Sequence, residues 1–171
     1  KVLRVLPLLI LFVVLLAGMY VIFPKQAGRH VGPSDFDGLV ISEVMAANSS
    51  AVPDENGNFS DWVELYNGTG YDLDMEGVML TNRTDRITFP FPAYTLKDGE
   101  RVVVFASGHY QLDPSLPFHG KFKISSAGDH LYLYDPDMYL IDELATPTLM
   151  SNTSYALTGI DEDGVRRYET T

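Results

Sequence analysis

Asp54, Asn56, Asn58 and Asp61 recur through the segment Asp54-Glu55-Asn56-Gly57-Asn58-Phe59-Ser60-Asp61. Oxygen donors at alternate positions are how a calcium loop begins. The EF-hand pattern then stops, because its glycine position holds Phe59 and its twelfth place holds no Glu. A different calcium geometry remains open, with Asp61 adding a carboxylate. The same residues suit a polar turn whose Asn and Asp side chains hold nearby backbone. The turn is the expected reading and a calcium site the alternative.

Trp62, Glu64 and Tyr66 follow at once and form a second candidate, a recognition face on one side of an extended segment. A lone tryptophan in a β-sheet protein more often plugs a core. In that case the Glu64 carboxylate needs a nearby partner, since a buried unpaired charge costs several kcal/mol.

Other constellations point away from catalysis. Carboxylates are paired at Asp72/Asp74, Asp135/Asp137, Asp142/Glu143 and Asp161/Glu162/Asp163. A glycosidase needs two carboxyls converging across a cleft, and neighbours in turns do not supply that. His30, His109, His119 and His130 fall in separate segments without metal-ligand spacing, so surface or loop positions are expected for them. There is no Gly-x-Ser-x-Gly, no serine with an evident His and Asp partner, and no glycine-rich phosphate loop. The chain reads as non-catalytic and without a cofactor. Five Asn-x-Ser/Thr triplets begin at Asn48, Asn58, Asn67, Asn82 and Asn152, and these read as polar turns.

The elements that must position these residues are strands. Candidates are residues 39–45, 61–66, 78–81, 86–89, 101–106, 121–124, 130–134, 139–143 and 155–157, each rich in β-branched or aromatic residues and bounded by turn signals. Val63 and Leu65 share one face of their segment, as do Leu131 and Leu133 of theirs, with aromatics opposite. No stretch after residue 38 sustains an apolar period of 3.6 residues. The spacing predicts an all-β sandwich or barrel.

The first part of the chain is different. Val5 to Phe23 is 19 residues without a charge. As a helix it would span roughly 28 Å, about the thickness of a bilayer's hydrocarbon core. Lys1 and Arg4 precede it, and Lys25 and Arg29 follow. A cleavable signal peptide would have a shorter apolar run and a small-x-small site. The expectation is an uncleaved single-pass transmembrane anchor within residues 1–23, a linker over 24–38, and one domain over 39–171. The domain would lie outside the cytoplasm. The chain opens on Lys1 and closes on Thr171, and it reads as a piece of a longer protein.

From Leu39 onward, 21 Asp and Glu stand against 8 Lys and Arg. A surface that acidic repels phosphate backbones, so nucleic acid is not an expected partner. Cysteine is absent, and about 130 residues bury enough apolar surface without disulfides.

An ordered set of motifs adds a family resemblance. Leu39-Val-Ile-Ser-Glu-Val-Met45, Asn48, Asp54-Glu-Asn-Gly57 and Asp61-Trp-Val-Glu-Leu-Tyr-Asn67 come first. Ile87-Thr-Phe-Pro90, Leu96-Lys-Asp-Gly99, Val102–Ala106, Gly128-Asp129 and Leu131-Tyr-Leu133 follow. Together they resemble a bacterial lamin-tail domain over roughly residues 39–158. One departure is Ser154-Tyr155-Ala156-Leu157, where the family often carries Ser-Tyr-Gly-Arg. The resemblance implies an immunoglobulin-like β-sandwich acting as an extracellular adaptor for a protein or cell-envelope polymer. Alternatives are calcium-dependent carbohydrate or surface binding, and the targeting of an enzyme that continues beyond residue 171.

Overall fold

A computed structural model describes residues 35–171. The expected transmembrane anchor and most of the expected linker lie outside the described residues. Within them the chain forms twelve strands and no helix. These are β1 (Leu39–Met45), β2 (Trp62–Asn67), β3 (Leu73–Asp74), β4 (Met79–Thr81), β5 (Phe89–Pro90), β6 (Thr95–Leu96), β7 (Arg101–Phe105), β8 (Phe118–His119), β9 (His130–Tyr134), β10 (Leu140–Ala145), β11 (Tyr155–Ile160) and β12 (Arg166–Thr170).

Two main sheets result. One has the order β12-β11-β1-β2-β7-β8, the other β10-β9-β4-β5, and β3 pairs with β6 as a short ribbon. The strands alternate as their sequences require. Val44, Val63, Leu65 and Val104 of the first sheet are fully buried, as are Leu80, Phe89, Leu131 and Leu133 of the second. They meet in one apolar core, the interior of a β-sandwich. One end of that core is a wedge of edge-to-face rings: Phe89 on Phe91 at 4.8 Å, Phe91 on Phe118 at 5.5 Å, and Tyr94 on Phe118 at 5.2 Å.

Three differences from the sequence-based expectations have physical reasons. Residues 121–124 are not a strand, although Phe122 and Ile124 are buried in the core. The Phe122 ring folds back over Gly120, where a Cβ would run into it, and the strand falls instead on Phe118–His119. β12 escaped notice because Arg166-Arg167-Tyr168-Glu169-Thr170 is polar on both faces, and its pairing with β11 holds it. Residues 35–38 of the expected linker form a turn docked on the domain: Tyr71 Oη donates to the Asp35 carbonyl at 2.6 Å and Phe36 packs on the core.

The register of β1 slips between Ile41 and Glu43, a bulge that ends its ladder with β11. The Ile41 backbone is satisfied by side chains instead. Its N–H donates to Asp142 Oδ2 at 2.8 Å, and its carbonyl accepts from Tyr168 Oη at 2.6 Å. Asp142 also takes both guanidinium nitrogens of Arg166. This bidentate pair ties β10 of one sheet to β1 and β12 of the other.

Candidate functional site

The loop between β1 and β2 carries the first candidate residues, and Asn48 shapes it. The buried Asn48 amide donates to the carbonyls of Val52 and Ser60 and accepts from the N–H groups of Ala51 and Val52. Further along, Asp54 Oδ1 accepts the N–H groups of Asn56 and Asn58 at 2.9 and 2.8 Å. This is the polar turn of an Asx side chain on its own backbone, with Gly57 at φ 79°. Burial opposes charge on Asp54, but the N–H bonds from Asn58 and Asn56 outweigh it and hold the carboxyl below its ordinary range.

Of the four residues of the calcium reading, Asp54, Asn56 and Asn58 are joined by the bonds of this turn, and Asp61 is bonded elsewhere. Asp61 accepts from the Asn48 N–H at 3.1 Å, and burial raises its carboxyl above the ordinary range. Asn56 Nδ2 donates outward to Glu55.

What the fold brings to Asp54 is Glu55 and His119. His119 has no exposed surface, contrary to the expectation of a surface or loop histidine. Its Nε2 lies 3.0 Å from Glu55 Oε2 and its Nδ1 lies 2.9 Å from Ser107 Oγ. The ring is sandwiched, with Phe105 at 5.2 Å and His109 at 4.9 Å, both nearly parallel to it. Ser107 Oγ also lies 3.1 Å from His109 Nδ1. The bond to His119 lowers the Glu55 carboxyl below its ordinary range. One carboxylate oxygen each from Asp54 and Glu55 and a nitrogen of His119 lie within 4.8 Å of one another.

This corner was not legible because its members are remote in sequence, with 64 positions between Glu55 and His119 and 12 between Ser107 and His119. Ser107, His119 and Glu55 do form a serine–histidine–acid chain, which sequence reasoning did not find. Its attachment is the reverse of a hydrolase triad, in which the serine sits at Nε2 and the acid at Nδ1: here Ser107 is at Nδ1 and Glu55 at Nε2.

Beside this corner runs a groove of about 390 Å³. Its walls include Pro53, Glu55, Val103, Leu116 and Phe118. The groove follows β7, whose other neighbour β8 pairs with only Val104 and Phe105. Among the described residues, Arg101–Val103 therefore have no strand beside them on that side. Alternate residues of a strand turn their N–H and C=O toward opposite neighbours, so part of this backbone is presented to the groove.

Trp62, Glu64 and Tyr66 lie on the outer face of the same sheet. Trp62 is buried there under Met45, Phe105 and Val103, outside the main core, and its Nε1 has no hydrogen-bond partner among the described residues. Glu64 accepts from Ser42 Oγ at 2.7 Å and pairs with Arg101 Nε at 3.1 Å. The Arg101 guanidinium lies 4.6 Å from the centre of the Tyr66 ring. The three share a face, as alternation requires, and Glu64 is engaged by Ser42 and Arg101, with Arg101 also covering the Tyr66 ring.

Two of the remaining acids hold turns. Asp135 caps the N–H groups of Asp137 and Tyr139, and Asp161 those of Asp163 and Val165. On the second sheet, His130, Tyr132 and Tyr134 stack face to face, at 4.4 and 6.2 Å.

The family model for the lamin tail domain matches residues 33–148. The chain belongs to the lamin tail domain family. This identifies the sandwich as immunoglobulin-like, the fold of a non-catalytic interaction module. A search of curated proteins finds no match. Two features of this lamin tail domain sort differently against the matched span. Asp54, Glu55, Ser107 and His119 fall inside it. The Asp142–Arg166–Tyr168 cluster at the β1 bulge reaches past it, since Arg166 and Tyr168 come from β12. Asn67, whose fully buried amide bonds Tyr71, Leu96 and Thr69, is a turn-former like Asn48 and has no free nitrogen to carry a glycan.

Proposed function

We propose that this lamin tail domain is a non-catalytic binding and scaffolding module, tethered to a membrane by residues 5–23 and displayed outside the cytoplasm. Its partner is a protein or a cell-envelope polymer, and the binding surface is the groove along β7. The observation that carries the reading is the half-open edge of β7. Backbone groups beside an apolar trough are the arrangement by which sheets accept an extended segment, with main-chain bonds giving affinity and side-chain pockets giving selectivity. The excess of carboxylates over the domain favours a basic partner.

Calcium-dependent surface binding through Asp54, Asn56, Asn58 and Asp61 has less support, because Asp54 and Asp61 spend carboxylate oxygens on backbone N–H groups. Site-specific photo-crosslinking in intact cells tests the groove. A photoreactive residue at Leu116, which is exposed in the groove, gives a discrete adduct. One at Val165, exposed at the distant β11–β12 turn, gives none. Equal adducts at both positions, or none at Leu116, refute the reading. Protease protection of the domain in intact cells refutes the proposed orientation.

A further inference from the structure

The geometry points to a divalent transition-metal site of the zinc class at the head of this groove, with His119 Nε2, Glu55 and Asp54 as ligands. It is independent of any partner in the groove.

The argument starts from the imidazole. A metal-binding histidine offers one ring nitrogen to the ion and has the other fixed by a neighbouring polar group. His119 is held that way: Ser107 Oγ sits at Nδ1, and the Phe105 and His109 rings fix the plane, so Nε2 has one direction. That direction is toward Glu55 Oε2, 3.0 Å away. Two ligands on a tetrahedral zinc with bonds of about 2.0–2.1 Å lie roughly 3.3 Å apart. An ion replacing the shared proton therefore needs the pair to open by only about 0.3 Å.

Asp54 supplies the third donor. Its Oδ1 is saturated by the two backbone N–H groups that hold the turn, while Oδ2 has only a 3.5 Å contact with Asn58 Nδ2. The carboxylate is thus oriented before any ion arrives. Asp54 and Glu55 both line the groove, which gives an ion a route to them. A nitrogen donor with two carboxylates suits zinc rather than calcium, which takes oxygen ligands six to eight at a time. The sandwich rings and the N–H bonds belong to the apo fold, so binding adds to stability without creating the fold.

Titration calorimetry of the purified 171-residue chain with zinc chloride provides the test. The expected result is one zinc per chain, a higher melting temperature with zinc and no such rise with calcium. Glu55→Ala, at a side chain on the groove wall, keeps the circular dichroism of the parent and weakens zinc by more than tenfold. Ser107→Ala weakens it by about tenfold through the lost fixing of the ring. His130→Ala, at a histidine of the opposite sheet, leaves it within twofold. Cobalt in place of zinc gives the intense visible bands of a tetrahedral site, and Glu55→Ala removes them. Absence of zinc binding overturns the proposal. So does binding unchanged in Glu55→Ala, or binding lost in His130→Ala.

Discussion

Two clusters of charge sit in this sandwich and are built on opposite plans. At the β1 bulge, Asp142 is buried and its two oxygens face Arg166 and the Ile41 N–H, with Glu143 N–H added. Tyr168 closes the remaining Ile41 carbonyl. At the groove, Asp54 and Glu55 lie near His119 with acceptor capacity left over and a cavity beside them. The first cluster is saturated, so it can only hold the fold together. The second is held in place by neighbours but not filled, which is what a binding site requires. The contrast separates charge that finishes a fold from charge that remains available.

Removing Asp142 should do the most damage. Asp142→Ala leaves Arg166 facing the sandwich wall and the Ile41 N–H without an acceptor. Breaking one side of a buried pair typically costs about 3–5 kcal/mol, and urea denaturation of the variant should show a loss of that size. A loss below about 1 kcal/mol, the level of an exposed pair, would erase the distinction between the two clusters. Replacing both partners, as in Asp142→Leu with Arg166→Met, should recover part of the loss. The isolated charge is gone, but the Ile41 N–H stays unpaired and keeps a penalty of about 1–3 kcal/mol.

Tyr168→Phe comes next. It removes one hydrogen bond to the Ile41 carbonyl, worth about 1 kcal/mol. Burial raises the Tyr168 phenol from its ordinary value of 10.0 to about 12. The unfolded chain therefore releases this proton first as pH rises, and the folded state resists. Stability contributed by the phenol is whole below pH 10 and declines between 10 and about 12. The stability gap between parent and Tyr168→Phe should narrow across that window, read by denaturant midpoints at successive pH values. A constant gap would place Tyr168 outside the saturated cluster.

The two clusters also differ in how much of them the sequence disclosed. The strands that carry the core were legible, since Val63/Leu65 and Leu131/Leu133 alternate with aromatics and burial follows that period. The Asx turn at Asp54 was legible for the same local reason. Neither cluster was. Asp142 reads as one of a pair of turn acids, and its partners come from a bulge and from a strand polar on both faces. His119 is covered by residues that topology, not spacing, brings to it. Short-range patterns fix which face a residue takes. They do not fix which remote strand lies beside it, and both clusters depend on that.

The smallest expected effect falls on the groove. Glu55→Gln in metal-free protein removes the charge from a side chain that is 28% exposed. The pair it forms with His119 borders solvent, and such pairs contribute about 0–1 kcal/mol. Glutamine also keeps an oxygen that can accept from a His119 N–H. The denaturation midpoint should therefore move by less than about 1 kcal/mol, against several for Asp142→Ala. The near-silence is informative because His119 itself is fully buried. Had the fold depended on Glu55 to satisfy that ring, losing the charge would cost as much as losing Asp142. Ser107 at Nδ1 and the stacked rings of Phe105 and His109 hold the imidazole without it. A loss of about 3 kcal/mol, the cost of breaking a buried pair, would move Glu55 into the structural class and leave the molecule with two saturated clusters.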